Sequence, residues 1–159
     1  TTAVLSQESG GDPKMTMQDK HLIIHIDGAS RGNPGPAAIG VIIQDRAGSL
    51  RLEISHYIGE TTNNQAEYRA LIAALEEAAR LGATHVDIKT DSKLVAEQIQ
   101  GNYRVRHPGL RPLFQRALQL LSACKTYNIT NIPREENAPA DALANKALDS
   151  RRSVHLPRK

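Results

Sequence analysis

The chain has 159 residues, 40% hydrophobic and 23% charged, with a formal net charge of +3, the size and balance of one globular domain with a real core. No run approaches the roughly 18 consecutive apolar residues of a membrane span, and no basic start, apolar run and small-residue cleavage site marks a secretory signal. The single cysteine excludes an internal disulfide and points to a reducing cytoplasm; with aromatics at only 3%, a nucleic-acid partner would be gripped by its backbone, not by base stacking.

Residues 1–20 are polar and aperiodic. They read as a flexible leader, part of it of vector origin, with Met17 a native start. "HLIIHID" is a short apolar strand ending at Asp27. "AAIGVIIQD" and "LRLEISHYI" flank a turn containing Gly48 and read as an antiparallel hairpin. "NNQAEYRALIAALEEAARLG" is a long amphipathic helix closed by Gly82. "THVDIKT" alternates as a strand ending at Asp91, and "SKLVAEQIQGN" is a short helix stopped by Gly101. "RPLFQRALQLLSACK" is a helix, "YNITNI" a strand and "ENAPADALANKALDS" a final helix. A basic tail, "RRSVHLPRK", fills 151–159. This order, β-β-β-α-β-α-α-β-α, predicts an α/β domain over 21–150 with helices packed on a mixed sheet.

Four carboxylates stand at element boundaries, and each has an ordinary structural explanation. Asp27 precedes Gly28 as a turn residue would. Glu67 stands three positions after Asn64, the spacing of a capping box. Asp91 precedes a helix, where Asp is a good cap. Asp141 lies near the start of the last helix, where a negative charge is favoured. Together they read differently. If the strands ending at Asp27 and Asp91 are parallel neighbours, their carboxylates sit side by side at the sheet edge where α/β proteins bind ligands. The starts of the helices carrying Glu67 and Asp141 can reach the same edge. Carboxylates so crowded need a cation to remain ionised. Hard oxygen donors suit Mg²⁺ or Mn²⁺, and two such ions about 4 Å apart are a common device for phosphodiester cleavage.

The blocks "HIDGASRGNPGPAAIGVII", "TTNNQAEYRALIAALEEA", "IKTDSKLVAEQI" and "PREENAPADALANKAL" resemble, in series, type I ribonuclease H over most of the span 21–150. The resemblance implies a ribonuclease H-like α/β fold: a five-stranded mixed sheet of order 3-2-1-4-5 with helices on both faces. It further implies cleavage of the RNA strand of RNA–DNA hybrids, leaving 5′-phosphate and 3′-hydroxyl ends. Motif match puts the catalytic and metal-binding quartet on Asp27, Glu67, Asp91 and Asp141, holding two Mg²⁺ ions, with Mn²⁺ as an alternative. Gly28, Ala29, Ser30, Asn33, Thr62, Asn63, Asn64 and Lys93 fall on nucleic-acid-binding positions. Asparagine amides suit a ribose 2′-hydroxyl. The implied partner is an RNA–DNA hybrid, with other nucleic-acid duplexes a wider class, acted on by a monomer.

Two features depart from the best-known members. "GNYRVRHPGLRPL" replaces an extra helix and lysine-rich protrusion, keeping only Arg104, Arg106 and Arg111. "IPREENAPAD" lacks a loop histidine, and Arg134 is the nearest match. An arginine does not act as a base at neutral pH, so its role would be to anchor phosphate or aid product departure. The six histidines show no mutual spacing that marks a site. Competing readings are a catalytically weak binding module of the same fold and another nuclease built on it. Retention of all four carboxylates argues against the first, and the "TNN" and "GNPG" blocks against the second.

Overall fold

A computed structural model describes residues 19–151 and, as backbone, the strand Val154–Pro157. Its strands are β1 (His21–Ser30), β2 (Gly35–Asp45), β3 (Leu50–Thr61), β4 (His85–Thr90), β5 (Thr126–Asn131) and β6 (Val154–Pro157). Its helices are α1 (Asn63–Arg80), α2 (Lys93–Gln100), α3 (Arg111–Leu121) and α4 (Ala138–Ser150), the last preceded by a 3₁₀ turn at Arg134–Asn137. The sheet order is β5-β4-β1-β2-β3-β6. β1, β2 and β3 pair antiparallel, and β4 and β5 run parallel to β1. Omitting β6, this is the expected five-strand order.

The sixth strand lies in the expected aperiodic tail. Its backbone pairs antiparallel with Leu52–Ser55 of β3, so that part of the tail extends the sheet edge. At the other end, Asp19 and Lys20 are part of the fold and not of a leader. The Lys20 backbone N–H donates to Thr84 Oγ1 at 2.7 Å, and its Nζ donates to the Leu81 carbonyl at 2.8 Å. Residues 1–18, and 152–153 and 158–159 of the tail, lie outside the described residues.

Period-2 alternation decides which helix each strand residue meets. Leu22, Ile24 and Ile26 of β1 are buried with Val41 and Ile43 of β2 and with Leu71, Ala74 and Leu75 of α1. Burial of each such Leu or Ile contributes about 1.5–3 kcal/mol. The other face of the sheet carries α4, where Ala38 of β2 packs with Ala147 and Leu148. Two glycines bring these helices close. A Cβ on Gly28 would lie 2.3 Å from the Ala66 carbonyl carbon, and one on Gly40 would lie 2.0 Å from the Ala140 carbonyl oxygen. Gly28 therefore admits the backbone of α1, and Gly40 that of α4. Ser55 of β3 pairs with Gly40, and its hydroxyl donates to the Leu143 carbonyl at 2.6 Å. These contacts seat the first turns of α1 and α4 against the middle of the sheet.

Candidate active site

The parallel register of β1 and β4 ends at Ile26 and Thr90, so Asp27 and Asp91 follow side by side. β1 continues to Ser30 along β2. Asp27 is thus a strand residue in mid-ladder with β2, and not the turn residue its neighbour Gly28 signals. Because β4 stops first, the edge of β1 opens there, the usual position for an α/β site.

Glu67 is not part of a cap. Thr62 caps α1: its hydroxyl accepts from the Gln65 N–H at 3.2 Å, and Gln65 Oε1 accepts from the Thr62 N–H at 3.3 Å. The capping box, Thr62 with Gln65, therefore lies two residues earlier than the pair Asn64 and Glu67. Glu67 is instead buried, with Oε1 accepting from the Gly28 N–H at 2.9 Å. Asp91 does not cap α2 either, since Ser92 Oγ accepts from the Val95 N–H at 3.2 Å. Both carboxylates are free to face the cavity.

That cavity, about 300 Å³, is lined by Asp27, Glu67, Asp91 and Asp141 together with Gly28, Ala29, Asn63, Ser92 and Arg134. One carboxylate oxygen from each of Asp27, Glu67 and Asp91 lies within 4.8 Å of the others. Asp141 enters from α4, and the guanidinium of Arg134 stands 3.9 Å from its Oδ1.

The electrostatics are those of crowded, half-dry carboxylates. Burial pushes the Asp27 carboxyl up to about 8, helped by the charges of Asp91 and Asp141 and by a hydrogen bond with Asp141, and opposed by Arg134. Glu67 is raised well above the usual carboxylate range by burial, then by Asp27 and Asp91, while the Gly28 N–H pulls the other way. Asp91 is raised by burial, against the Asn137 amide and the Arg134 charge. Asp27 Oδ2 is buried with no hydrogen-bond partner. A buried oxygen without a donor is costly. A divalent cation would remove that cost and let the carboxylates ionise, so the residues present fit a hard, oxygen-liganded metal.

The expected substrate contacts divide. Gly28, Ala29 and Asn63 line the carboxylate cavity. Asn33, Thr62 and Asn64 line a second cavity of about 190 Å³ with His107 and Leu110. Ser30 is engaged internally, its hydroxyl donating to the carbonyls of Gly32 and, at 3.0 Å, Thr61. Lys93, the first residue of α2, is exposed and lies on neither cavity wall. The largest described cavity, about 850 Å³ beside Arg104, Arg106 and Arg111, contains none of the four carboxylates. One supporting residue escaped the sequence reading. Asn137, fully buried, donates to the Ile26 carbonyl at 2.8 Å and hydrogen-bonds Asp91, tying the start of α4 to both central strands. Only its place just before the last helix, in "REENAPAD", marks it in the sequence.

The Reverse transcriptase-like family matches residues 25–147. Ribonuclease HI of Halobacterium salinarum is 45% identical over 148 residues, covering 93% of this chain and 70% of that protein. The chain belongs to the type I ribonuclease H family. The bifunctional protein Rv2228c of Mycobacterium tuberculosis is 46% identical over 81% of this chain, which spans only 36% of that protein. The solved N-terminal ribonuclease H domain of Rv2228c superposes with a TM-score of 0.79 at 45% identity, covering 81% of this chain and 99% of that one. LC11-RNase H1, solved in complex with an RNA/DNA hybrid, superposes at 0.78 with 44% identity, covering 82% and 98%. The ribonuclease H fold here is therefore shared with close relatives along nearly their whole solved length.

Proposed function

We propose that this chain hydrolyses the RNA strand of RNA–DNA hybrids with the aid of two divalent cations, Mg²⁺ with Mn²⁺ as an alternative, leaving 5′-phosphate and 3′-hydroxyl ends. The observation that carries the reading is the convergence of one carboxylate oxygen from each of Asp27, Glu67 and Asp91 within 4.8 Å, together with a buried Asp27 oxygen that has no hydrogen-bond partner. Asp141 on the same cavity wall completes the ligand set.

Asp27, Glu67, Asp91 and Asp141 would hold the cations, with Asp27 coupled electrostatically to the other three. When bound, the cations supply Lewis acidity to the attacking water and to the departing 3′ oxygen. The chain's own residues do the rest. The Gly28 N–H orients Glu67, and Asn137 orients Asp91. Arg134, exposed at the mouth beside Asp141, would hold the cleaved phosphate until product leaves. Gly28, Ala29 and Asn63 would meet the strand being cut. Asn33, Thr62 and Asn64 would hold its sugar–phosphate backbone, with Ser30 shaping the intervening turn and Lys93 offering charge nearby. The protein acts as a monomer in the cytoplasm, where Cys124 stays reduced.

The test is cleavage of end-labelled substrates in Mg²⁺, comparing RNA–DNA hybrid, double-stranded RNA, double-stranded DNA and single strands. Cutting confined to the RNA of the hybrid, and abolished by chelator, is the expected result. Equal cutting of double-stranded DNA, or cutting in chelator, would overturn it.

A further inference from the structure

The second cavity joins three segments distant in sequence. Asn33 comes from the turn between β1 and β2, Thr62 and Asn64 from the start of α1, and His107 and Leu110 from the connection between α2 and α3. Asn33 Oδ1 accepts from the Asn63 N–H at 3.0 Å, bracing the first two segments together. Gln65, whose Oε1 serves the α1 cap, extends its Nε2 to the Gly109 carbonyl at 3.4 Å, linking the third. Val105 and Leu110 anchor the connection in the core, leaving His107 exposed between them.

The His107 ring is fixed. Its Nδ1 accepts from the Gly109 N–H at 2.9 Å, so the neutral imidazole carries its proton on Nε2. A Cβ on Gly109 would stand 3.0 Å from both Nδ1 and Cε1 of His107, so the glycine lets the ring lie against the backbone. The cavity wall then offers the amides of Asn33 and Asn64 and the His107 imidazole, with no carboxylate among its lining residues, while the Thr62 hydroxyl there is held by Gln65. Such a wall accepts an anionic oxygen group and is of the wrong chemistry for a metal.

We propose that His107 is a further substrate-positioning residue, donating from Nε2 to a non-bridging phosphate oxygen of the hybrid backbone beside Asn33, Thr62 and Asn64. The inference rests on the hybrid-cleaving reading above and adds to it a grip from the α2–α3 connection.

The test compares the parent chain with His107→Ala and His107→Gln on a short RNA–DNA hybrid, by steady-state cleavage and by fluorescence anisotropy in chelator. His107→Ala is expected to raise KM and Kd about five- to tenfold, with kcat and melting temperature unchanged. His107→Gln, which keeps a donor at similar reach, should recover most of that loss. A set of hybrids, each with one methylphosphonate, should contain a position that weakens the parent but adds nothing to His107→Ala. Unchanged KM and Kd in His107→Ala, or equal losses in both variants with every methylphosphonate effect additive, would overturn the proposal. If the parent binds hybrid without cutting it, the cleavage reading fails, and the anisotropy series alone decides the role of His107.

Discussion

Glu67 Oε1 accepts a 2.9 Å hydrogen bond from the backbone N–H of Gly28, 39 residues earlier in the chain. The bond exists because Gly28 has no side chain to hold α1 away. It satisfies a buried donor and aims a carboxylate at Asp27 and Asp91. Glutamine in place of Glu67 keeps the acceptor but loses the charge, whereas alanine loses both. In chelator at neutral pH, Glu67→Gln should be at least as stable as the parent, because burial disfavours the charged carboxylate, yet in Mg²⁺ it should cleave at least ~100-fold more slowly. Glu67→Ala should be less stable than Glu67→Gln by about 1–3 kcal/mol, the cost of an unpaired buried N–H. Thermal melts and single-turnover cleavage check both; coincident melting of the two variants would remove the hydrogen bond's structural role.

Asp27 links the site to pH. Its carboxyl rises from 3.8 to about 8 on folding. Between those values the folded, metal-free chain keeps a proton that the unfolded chain has released, so stability falls as pH rises through the window. Above about 8 this group adds no further dependence. Asp27→Asn should therefore melt above the parent at pH about 8 in chelator, by ~3 °C for each ~1 kcal/mol of relieved strain, with the gap closing toward acid. A divalent cation should raise the parent's melting temperature and leave the variant's unmoved. The variant should lose at least ~1000-fold in cleavage. Parallel melting curves across pH would contradict the assignment.

Gly40 lies against the backbone of α4, the helix that carries Asp141. An alanine there would place its Cβ 2.0 Å from the Ala140 carbonyl oxygen and 2.9 Å from the Ala144 nitrogen. Because both are helix backbone atoms, the strain can relax only if α4 shifts. Gly40→Ala should cost about 1–3 kcal/mol and lower kcat with little change in KM, although the residue lies on none of the described cavity walls. Denaturant melts paired with steady-state kinetics test this, and unaltered kcat in a destabilised variant would uncouple α4 placement from catalysis.

Arg134 holds down the proton affinities of Asp27 and Asp91. Its loss should leave those carboxylates protonated to higher pH, moving the acid limb of kcat/KM upward. Arg134→Lys, which preserves the charge, should stay near the parent. Since the arginine side chain is 79% exposed, added salt should shrink the difference between parent and Arg134→Ala. An unmoved acid limb in Arg134→Ala at low salt would exclude this electrostatic role.

The amino-acid sequence alone determined the element order, the hairpin turn at Gly48, the helix ends at Gly82 and Gly101, and the four motif blocks that carry the carboxylates. Those features depend on neighbours within a few residues, and periodicity records which way each side chain faces. Only the tertiary structure decided what the boundary residues do. Thr62 and Gln65 form the cap that the spacing of Asn64 and Glu67 equally permits, and Glu67, on α1, finds its partner on β1. Likewise, the need for glycine at positions 28 and 40, the anchoring of Asp91 by Asn137, the added β6 and the docking of His107 beside Asn33 all arise from contacts between distant segments. Local pattern reports such contacts poorly, because the same residue can satisfy several partners and the fold alone determines which of them comes within reach.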